Sequence, residues 1–370
     1  MATRFGGEAV PVSGIEVSAY RIPTDAPESD GTFAWNETVL VTAEVEGGGR
    51  RGLGYTYAHP AAAAVIETTL SRVVIGRDAL APQALNLAMR REARNAGAPG
   101  LVEMGISAVD VALWDLKAKL LDLPLVTLLG PRRERVELYG SGGFTSYGPE
   151  RLAAQLRTWA ALGLRQVKMK VGRDPGADVE RVRIAREAIG DQVGLYVDAN
   201  GAYAVKQALA FAEDFARHGV SWFEEPVSSD DHRGLHRIRQ RAPAGMEVAA
   251  GEYGFDVPYF AALLAAGAVD VLQADATRCG GITGFLAAAA VADTHGIPLS
   301  SHTAPAVHLH ACLAAPGQLR PLEWFHDHVR IEEQLFDGAP VPRHGALEAD
   351  LSLPGLGLEL RRAEADKFQI

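Results

Sequence analysis

Cysteine and long apolar runs are scarce in this sequence, and each scarcity excludes a class of protein. Two cysteines, Cys279 and Cys312, are too few for a disulfide framework and lack the spacing of a thiolate metal site. No apolar run approaches the roughly 20 residues that a membrane helix needs. The opening stretch Met1–Gly7 lacks the apolar core of a secretory signal, so we expect a cytoplasmic protein with no membrane partner.

Positively charged residues are outnumbered by negatively charged ones. Lys and Arg number 36 against 46 Asp and Glu, which gives a formal net charge of −10, and no basic run offsets it locally. Binding to nucleic acid depends on Lys and Arg that neutralise phosphates, so we expect no DNA or RNA partner. No Gly-x-Gly-x-x-Gly follows a first strand, which argues against a dinucleotide-binding fold. The 48% of hydrophobic residues in 370 are enough for a large core and two domains.

Short apolar segments alternate with helical ones from Val136 onward, at a spacing of roughly 25 to 30 residues. This pattern is typical of repeated βα units around a parallel sheet. A closed barrel of about eight such units is the economical interpretation, and a doubly wound open sheet is the alternative. The predicted strand cores are Val136–Tyr139, Gln166–Val171, Gly194–Val197, Val220–Phe223, Glu247–Ala250, Val269–Gln273, Ile297–Ser300 and the region of Pro321–Leu322.

The first third of the chain has a different pattern. Ile15–Tyr20 and Thr38–Val45 predict antiparallel strands joined through the polar stretch Pro23–Asn36. Ile106–Leu121 predicts a helix with one apolar stripe. We therefore expect an α+β domain in residues 1–130, a barrel domain in residues 131–345, and a last segment, residues 346–370, that packs back on the first domain.

Three carboxylates follow three consecutive predicted strands. In a (β/α) barrel the catalytic groups sit at the C-terminal ends of the strands, where Asp198, Glu224 and Glu252 are able to converge on one hard cation. Each acid alone is more often a solvated loop residue. Three crowded carboxylates, however, repel one another and raise their own pKa values unless a cation is present. The set therefore predicts one Mg²⁺ per chain, since oxygen ligands suit this ion.

Lys168 and Lys170 are separated by one residue, so a strand points both side chains to the same face. We expect that face to be the barrel interior, and a pair of lysines on an exposed strand edge is the alternative. Burial, a neighbouring ammonium and a nearby metal lower the pKa of a lysine toward the range of about 7 to 8 that suits a base.

His302 follows the seventh predicted strand, and Asp275 ends the sixth. An Asp that bonds to the imidazole fixes its tautomer and supports its cation, which makes a second acid/base group. A divalent cation between a base and an acid/base group is what abstraction of an α-proton from a carboxylate requires. Four further histidines lack a comparable strand-end Asp and are interpreted as surface or supporting residues: His308, His310, His326 and His328.

These motifs, in their order and spacing, resemble the enolase superfamily and, within it, the mandelate racemase subgroup, over nearly the full length. The motifs that carry the resemblance are Lys168-Met169-Lys170, Asp198-Ala199-Asn200, Trp222-Phe223-Glu224-Glu225-Pro226, Gly251-Glu252, the run Asp275 to Gly284, Ser300-Ser301-His302, Pro321-Leu322-Glu323-Trp324 and the run Ala108 to Lys117. The resemblance implies a modified TIM barrel of the α/β class, (β/α)7β, with an N-terminal α+β capping domain, and a homo-oligomer.

The resemblance also implies roles for single residues. Lys170 would be the base, Lys168 would polarise the substrate carboxylate, and Glu323 would bond to the enediolate oxygen. The Asp275–His302 dyad separates the chain from the muconate-lactonizing subgroup, where a lysine usually stands opposite the base. In the mandelate racemase subgroup the dyad serves both racemases and acid-sugar dehydratases.

In the family that this sequence resembles, loops of the capping domain select the substrate, here Pro23–Asn36 and Gly54–His59. They mix acids with aromatic residues, which fits a polyhydroxylated substrate at least as well as an aryl one. We therefore expect a sugar acid, an aldonate or aldarate, that is dehydrated to a 2-keto-3-deoxy acid. A racemase or epimerase, a lactone cycloisomerase, and a non-catalytic binding protein on the same barrel are the alternatives. Residues expected to support the site or contact the substrate are Asn200, Glu225, Tyr55 and Trp35.

Overall fold

We describe the protein from a computed structural model, which describes residues 9–97 and 99–370. The stretch Met1–Gly7, on which the prediction about a secretory signal rests, lies outside the described residues. Within the described ranges, no helix combines the length and the apolar character needed to span a bilayer.

An antiparallel sheet of three strands forms the first layer, in the order β1-β2-β3. Its strands are β1 (Val12–Ser29), β2 (Ala34–Gly47) and β3 (Arg50–Tyr57). Two predicted loops are wrong here. Most of Pro23–Asn36 belongs to β1 and β2, because pairing resumes at Glu28 and Ser29 after a bulge and leaves a short turn at the tip. Most of Gly54–His59 is the end of β3.

Helices cover one face of this sheet. The longest, α4 (Leu101–Leu120), starts five residues before its predicted start at Ile106 and is buried over most of its length. It approaches β3 closely because β3 has glycine there: a Cβ at Gly54 would lie 2.1 Å from the carbonyl oxygen of Ala108. The other helices of this region are α1 (Ala61–Val65), a π-helical turn (Ile66–Leu70), α2 (Ser71–Val74), α3 (Pro82–Glu92), a 3₁₀ turn (Ala93–Asn95) and α5 (Leu125–Leu129).

Eight parallel strands of the described chain form a nearly closed barrel. The strands are β4 (Arg135–Gly142), β5 (Gln166–Lys170), β6 (Gly194–Asp198), β7 (Val220–Glu224), β8 (Glu247–Ala250), β9 (Val271–Ala274), β10 (Leu299–Ser301) and β11 (Leu322–Phe325). They pair in the order β10-β9-β8-β7-β6-β5-β4-β11, so the predicted barrel is confirmed and the doubly wound open sheet is wrong. The seam lies between β10 and β11, where the Ser300 hydroxyl donates to the carbonyl of Pro321 at 2.9 Å.

Seven helices connect these strands and surround the barrel, which gives the (β/α)7β arrangement in the described residues. Tyr139, Tyr196 and Trp222 pack together inside the barrel and close its interior away from the mouth. The connecting helices are α6 (Pro149–Ala161), α7 (Pro175–Ile189), α8 (Val205–Ala216), α9 (His232–Arg239), α10 (Val257–Ala265), α11 (Gly281–Thr294) and α12 (Pro305–Ala314).

The last part of the chain contacts both layers. The amide of Ile370 donates to the carbonyl of Ala19 in β1 at 3.0 Å, and Arg362 forms an ion pair with Glu44 in β2 at 2.6 Å. Its elements are α13 (His326–Leu335), β12 (Phe336–Asp337), β13 (Ala346–Glu348), which pairs with β4, β14 (Glu359–Leu360), which pairs with β12, α14 (Arg362–Ala365) and a 3₁₀ turn (Asp366–Phe368).

The tip of the β1–β2 hairpin lies on the mouth of the barrel. Ser29 and Thr145 share a hydrogen bond of 2.6 Å between their hydroxyls, and Thr145 also donates to the carbonyl of Asp30 at 2.8 Å. Gly31 permits the contact, because a Cβ there would lie 2.3 Å from the carbonyl oxygen of Ala199. The hairpin therefore forms one wall of the space above the strand ends.

Candidate active site

Three carboxylates meet at the C-terminal ends of the barrel strands. Asp198 ends β6, Glu224 ends β7, and Glu252 follows β8 by two residues. All three side chains are buried, and one oxygen from each lies within 4.8 Å of the others. Gly251 lets the chain turn inward before Glu252, since its φ of 135° is one that side chains rarely adopt and a Cβ would lie 2.1 Å from the carbonyl of Gln273.

The donor set fits a hard divalent cation. Burial, followed by the charge of Asp198, raises the pKa of Glu224 to about 8, as expected for acids crowded in an apolar interior. Oδ1 of Asn200 and Oε1 of Glu225 are buried beside the carboxylates and find no hydrogen-bond partner among the described residues. An oxygen-rich pocket of this kind suits an ion such as Mg²⁺.

Both lysines of β5 point into the same pocket. Lys168 Nζ lies 2.6 Å from Oε1 of Glu224 and 2.9 Å from Oε1 of Glu323, which is in β11. Lys170 Nζ lies 2.5 Å from Oδ2 of Asp198. Both side chains are buried, so the alternative of an exposed pair on a strand edge is wrong.

The expected lowering of the lysine pKa values is not found in the protein alone. Burial is the largest single cause and lowers the pKa of Lys170, but the charges of Asp198, Glu252 and Glu224 together outweigh it, and the net pKa is raised. Lys168 behaves in the same way with Glu224 and Glu323. The prediction included the effects of burial, of the neighbouring ammonium and of a metal on the pKa of each lysine. It did not include the carboxylates that contact each lysine. A cation on those acids neutralises the charge that causes the rise.

The predicted dyad lies across two neighbouring strands. Nδ1 of His302, after β10, is 2.8 Å from Oδ2 of Asp275, after β9. Oδ1 of Asp275 accepts from the amide and the hydroxyl of Thr277, each at 2.7 Å. Burial lowers the pKa of His302, but the charge of Glu252 at 3.2 Å and the bond to Asp275 raise it to about 9.

A cavity of about 560 Å³ opens above these groups, between the barrel mouth and the antiparallel sheet. Lys170, Glu252, His302 and Glu323 form part of its floor. Trp35 and Asn200, two of the residues expected to support the site or contact the substrate, line this cavity. The Trp35 side chain is held in place because its Nε1 donates to the buried Glu28 at 2.8 Å.

A family model described as "Mandelate racemase / muconate lactonizing enzyme, N-terminal domain" matches residues 15–130, and one described as "Enolase C-terminal domain-like" matches residues 151–365. This chain belongs to the mandelate racemase/muconate lactonizing enzyme family of the enolase superfamily. The chain is similar in structure to a mandelate racemase/muconate lactonizing enzyme-like protein from Rubrobacter xylanophilus, with a TM-score of 0.95 and 54% identity over 97% of this chain and 100% of that one.

Two further relatives carry names of enzymes. The 3,6-anhydro-alpha-L-galactonate cycloisomerase of Streptomyces coelicolor is 33% identical over 82% of this chain and 86% of that protein. The L-talarate/galactarate dehydratase of Salmonella typhimurium is 29% identical over 90% of this chain and 87% of that protein. Its structure with Mg and L-lyxarohydroxamate has a TM-score of 0.89 at 27% identity, over 100% of this chain and 96% of that one. The family is thus one of lyases and isomerases.

Two of the residues expected to support the site do not reach the cavity. Tyr55 belongs to β3 rather than to a loop, and its hydroxyl donates to Oε1 of Glu332 at 2.6 Å inside the core. Glu225 is buried beside the carboxylates and does not line the cavity, and burial followed by the charge of Glu252 raises its pKa well above the usual value.

Three of the four remaining histidines are not surface residues. His308 is fully buried, and its Nε2 accepts from the amide of Ala276 at 2.8 Å. His310 is buried as well and accepts from the amide of Val126 at 3.2 Å. His328 is buried and lines the cavity, while His326 is half-buried, and its Nε2 lies 3.2 Å from Oδ2 of Asp25. An Asp partner at a strand end was too narrow a criterion, because backbone groups bind most of these rings.

Sequence reasoning also missed several residues that line the cavity. Arg278 had a signal, since it follows Asp275 by three residues in the same strand-end turn, and its Nη1 donates to the carbonyl of Glu252 at 3.2 Å. The others come from the antiparallel sheet, from single turns or from α13 and leave no pattern in the sequence: Arg21, His59, Tyr253, Thr303 and His328.

Proposed function

We propose that this protein is a Mg²⁺-dependent enzyme that removes the α-proton of a sugar acid and dehydrates the acid to a 2-keto-3-deoxy acid. The observation that carries the proposal is the position of the carboxylate triad between two proton-transfer groups. Lys170 touches the triad at Asp198, and His302 touches it at Glu252, from strands on different sides of the barrel.

The triad and the lysines prepare the substrate in this proposal. Asp198, Glu224 and Glu252 hold Mg²⁺, which supplies positive charge against the developing negative charge of the substrate carboxylate. Lys168 is held by Glu224 and Glu323 and directs its ammonium toward the same carboxylate. Lys170 lies in the floor of the cavity and takes the α-proton.

The second half of the reaction belongs to the dyad. His302 gives its proton to the departing β-hydroxyl, so that the C–O bond breaks, water leaves, and the resulting enol becomes the 2-keto acid. Asp275 keeps the proton on Nδ1 and leaves Nε2 for transfer, since it bonds to Nδ1 at 2.8 Å. Glu323 accepts from the amide of Thr303 at 2.7 Å, and with a proton on its carboxyl group it would donate a hydrogen bond to the substrate oxygen that becomes enolic.

The lining of the cavity supports a polyhydroxylated substrate. Arg278 and Arg21 offer charged donors, and Asp30 and Thr38 offer acceptors, within one space of about 560 Å³. A pocket for an aryl acid needs fewer such groups. The dehydratase relative and its sugar-acid-like ligand agree with this reading. A lactone cycloisomerase is the second candidate, because the cycloisomerase relative is 33% identical.

Incubation of the Mg²⁺-loaded protein with a panel of aldonic acids, aldaric acids, their lactones and mandelate tests the proposal. We expect one or a few sugar acids to lose water, with the 2-keto-3-deoxy product identified by mass spectrometry and proton NMR. Isomerisation of a lactone without loss of water, or racemisation of mandelate, would replace dehydration by the corresponding alternative. The variant Lys170→Ala removes the proposed base and should lose the activity. Lys206→Ala, which changes an exposed lysine of α8, is its control and should keep the activity.

A further inference from the structure

The residues directly after His302 have an unusual backbone. Thr303 and Ala304 have φ values of 52° and 40°, in the left-handed region that residues other than glycine rarely adopt. Such a turn persists only where its surroundings hold it. The Thr303 amide donates to Oε2 of Glu323 at 2.7 Å, and the Ala304 amide donates to Nδ1 of His328 through a longer bond of 3.4 Å. One nitrogen of His328 is therefore occupied by the backbone.

This contact decides which nitrogen of His328 carries a proton. Nδ1 accepts a hydrogen bond, so it presents its lone pair, and a neutral ring then has its hydrogen on Nε2. Burial, followed by the positive charges of His302 and Arg278, keeps the pKa of His328 well below its usual value, so the ring is neutral. Nε2–H is thus a donor without a net charge.

Aromatic rings pack against His328, and Nε2 is left without a hydrogen-bond partner among the described residues. The Tyr57 ring covers one face, with centroids 3.4 Å apart and planes 14° apart, and the Phe325 ring stands nearly perpendicular at 5.0 Å. The side chain is 8% exposed, and that exposed part lines the cavity. Within the described part of the chain, no group forms a hydrogen bond with Nε2.

We propose that His328 binds the substrate directly: its Nε2–H donates a hydrogen bond to a hydroxyl of the sugar-acid chain, on the His302 side of the cavity. The inference rests on the proposed function, since it names a hydroxyl of the same class of substrate. A neutral donor suits a hydroxyl rather than the substrate carboxylate, for which Lys168 provides charge. A site built to bond to a hydroxyl discriminates against the analogue that lacks it.

Two substitutions separate the donor from the support of the turn. In His328→Asn the side-chain oxygen takes the place of Nδ1 and keeps an acceptor for the Ala304 amide, but the side chain ends before Nε2. In His328→Gln the longer amide carries an N–H close to the place of Nε2. Thermal unfolding and Mg²⁺ binding of both variants confirm that they fold and hold the metal.

The measurement compares a sugar acid that the protein dehydrates with its monodeoxy analogues, which keep the β-hydroxyl but lack one hydroxyl further along the chain. For the wild type we expect kcat/KM to fall about tenfold for one analogue, the value of one neutral hydrogen bond. The decisive quantity is the ratio of kcat/KM for the parent sugar acid to kcat/KM for that analogue, which is about ten in the wild type. In His328→Asn this ratio falls to near one, and in His328→Gln it is partly restored. A role in supporting the turn alone lowers kcat/KM for every substrate by the same factor and leaves the ratio unchanged.

The two proposals fail in different ways. An unchanged ratio in His328→Asn, with wild-type dehydration intact, overturns the role of His328 and leaves the function standing. If the wild type binds sugar acids in calorimetry but dehydrates none, the function fails, and the same ratio measured on binding constants still decides for or against His328. A wild type that neither binds nor dehydrates any sugar acid overturns both.

Discussion

At the scale of single residues, opposite charges in the barrel mouth are tightly paired. Lys168 has Glu224 and Glu323 as partners, Lys170 has Asp198, and His302 lies between Asp275 and Glu252. Each buried charge is compensated by a partner within hydrogen-bond distance, as burial demands. Removing one member leaves its partner without compensation, so substitutions here act on their neighbours as well.

The first prediction concerns the metal. Glu252→Gln keeps the shape of a ligand but removes its charge, and we expect the affinity for Mg²⁺ to fall by about 10- to 100-fold or more, as metal sites commonly respond. Calorimetric titration with Mg²⁺ measures the change. Glu348→Gln, at an exposed position in β13, is the control and should bind Mg²⁺ like the wild type. Equal affinity in Glu252→Gln would show that this carboxylate is not a ligand.

The second prediction concerns the dyad. Asp275→Asn preserves the size of the side chain but gives up the charge that supports the protonated ring of His302, whose Nδ1 lies 2.8 Å away. General acid catalysis typically contributes about 10²- to 10⁴-fold, so we expect water loss to slow by about 10²-fold or more. Exchange of the α-proton with solvent, which Lys170 performs, should persist. Loss of both activities to the same extent would contradict separate roles for the two groups.

At the scale of elements, the hairpin tip and the barrel must approach closely. The Cβ that Gly31→Ala adds would lie 2.3 Å from the carbonyl of Ala199 and 2.7 Å from that of Val171, neither of which is a flexible side chain. We expect the tip to be displaced at a cost of about 1 to 3 kcal/mol in the free energy of unfolding. Because Trp35 follows the tip, KM should rise. Gly49→Ala, in open space between β2 and β3, is the control for KM; its φ of 73° adds a loss of stability that Gly31→Ala does not share, because the φ of Gly31 is outside the left-handed region.

A buried acid connects β3 to α12 and α13. Oε1 of Glu332 accepts from the Tyr55 hydroxyl at 2.6 Å, and Oε2 accepts from the Ala306 amide at 3.1 Å. Burial is the largest cause that raises the pKa of this carboxyl from 4.5 to about 8. The folded protein therefore keeps a proton that the unfolded chain releases above pH 4.5, and stability falls as pH rises through this window.

Glu332→Gln tests this fourth prediction, since the amide is neutral at every pH. From pH 5 to 8 the free energy of unfolding of the wild type should fall relative to that of the variant by about 1 kcal/mol per pH unit. Urea unfolding at several pH values measures the difference. Parallel curves for the two proteins would mean that Glu332 is ionised in the folded state.

At the scale of the whole molecule, repetition made the barrel predictable. The eight strand cores recur with similar flanking residues, so errors at single boundaries did not change the count, and the strand ends then located the acids, lysines and dyad. The tip of the β1–β2 hairpin was harder to predict. Its strands pair again at Glu28, beyond a bulge, within a polar stretch where polar and apolar residues do not alternate. The raised pKa of Lys170 and the contact of His328 depend on neighbours distant in sequence, and no local pattern contains them.

Two features of the whole chain remain our proposals. We propose that residues 1–130 work as the cap, residues 131–345 as the catalytic barrel, and residues 346–370 as a segment that packs back on the cap. The contacts of Arg362 and Ile370 with the first sheet support this division. We also propose, from the family resemblance, that the protein self-associates. Sedimentation velocity over a range of concentrations tests the second proposal, and a single monomeric species throughout would contradict it.

The most direct test of the account follows exchange of the substrate α-proton by proton NMR in D₂O, for the wild type with Mg²⁺, the wild type after chelation, Lys170→Ala and the control Lys206→Ala. The account predicts exchange in the loaded wild type and in the control, and its loss after chelation and in Lys170→Ala, where the base is missing. Exchange that continues without the metal, or in Lys170→Ala at the wild-type rate, would contradict it.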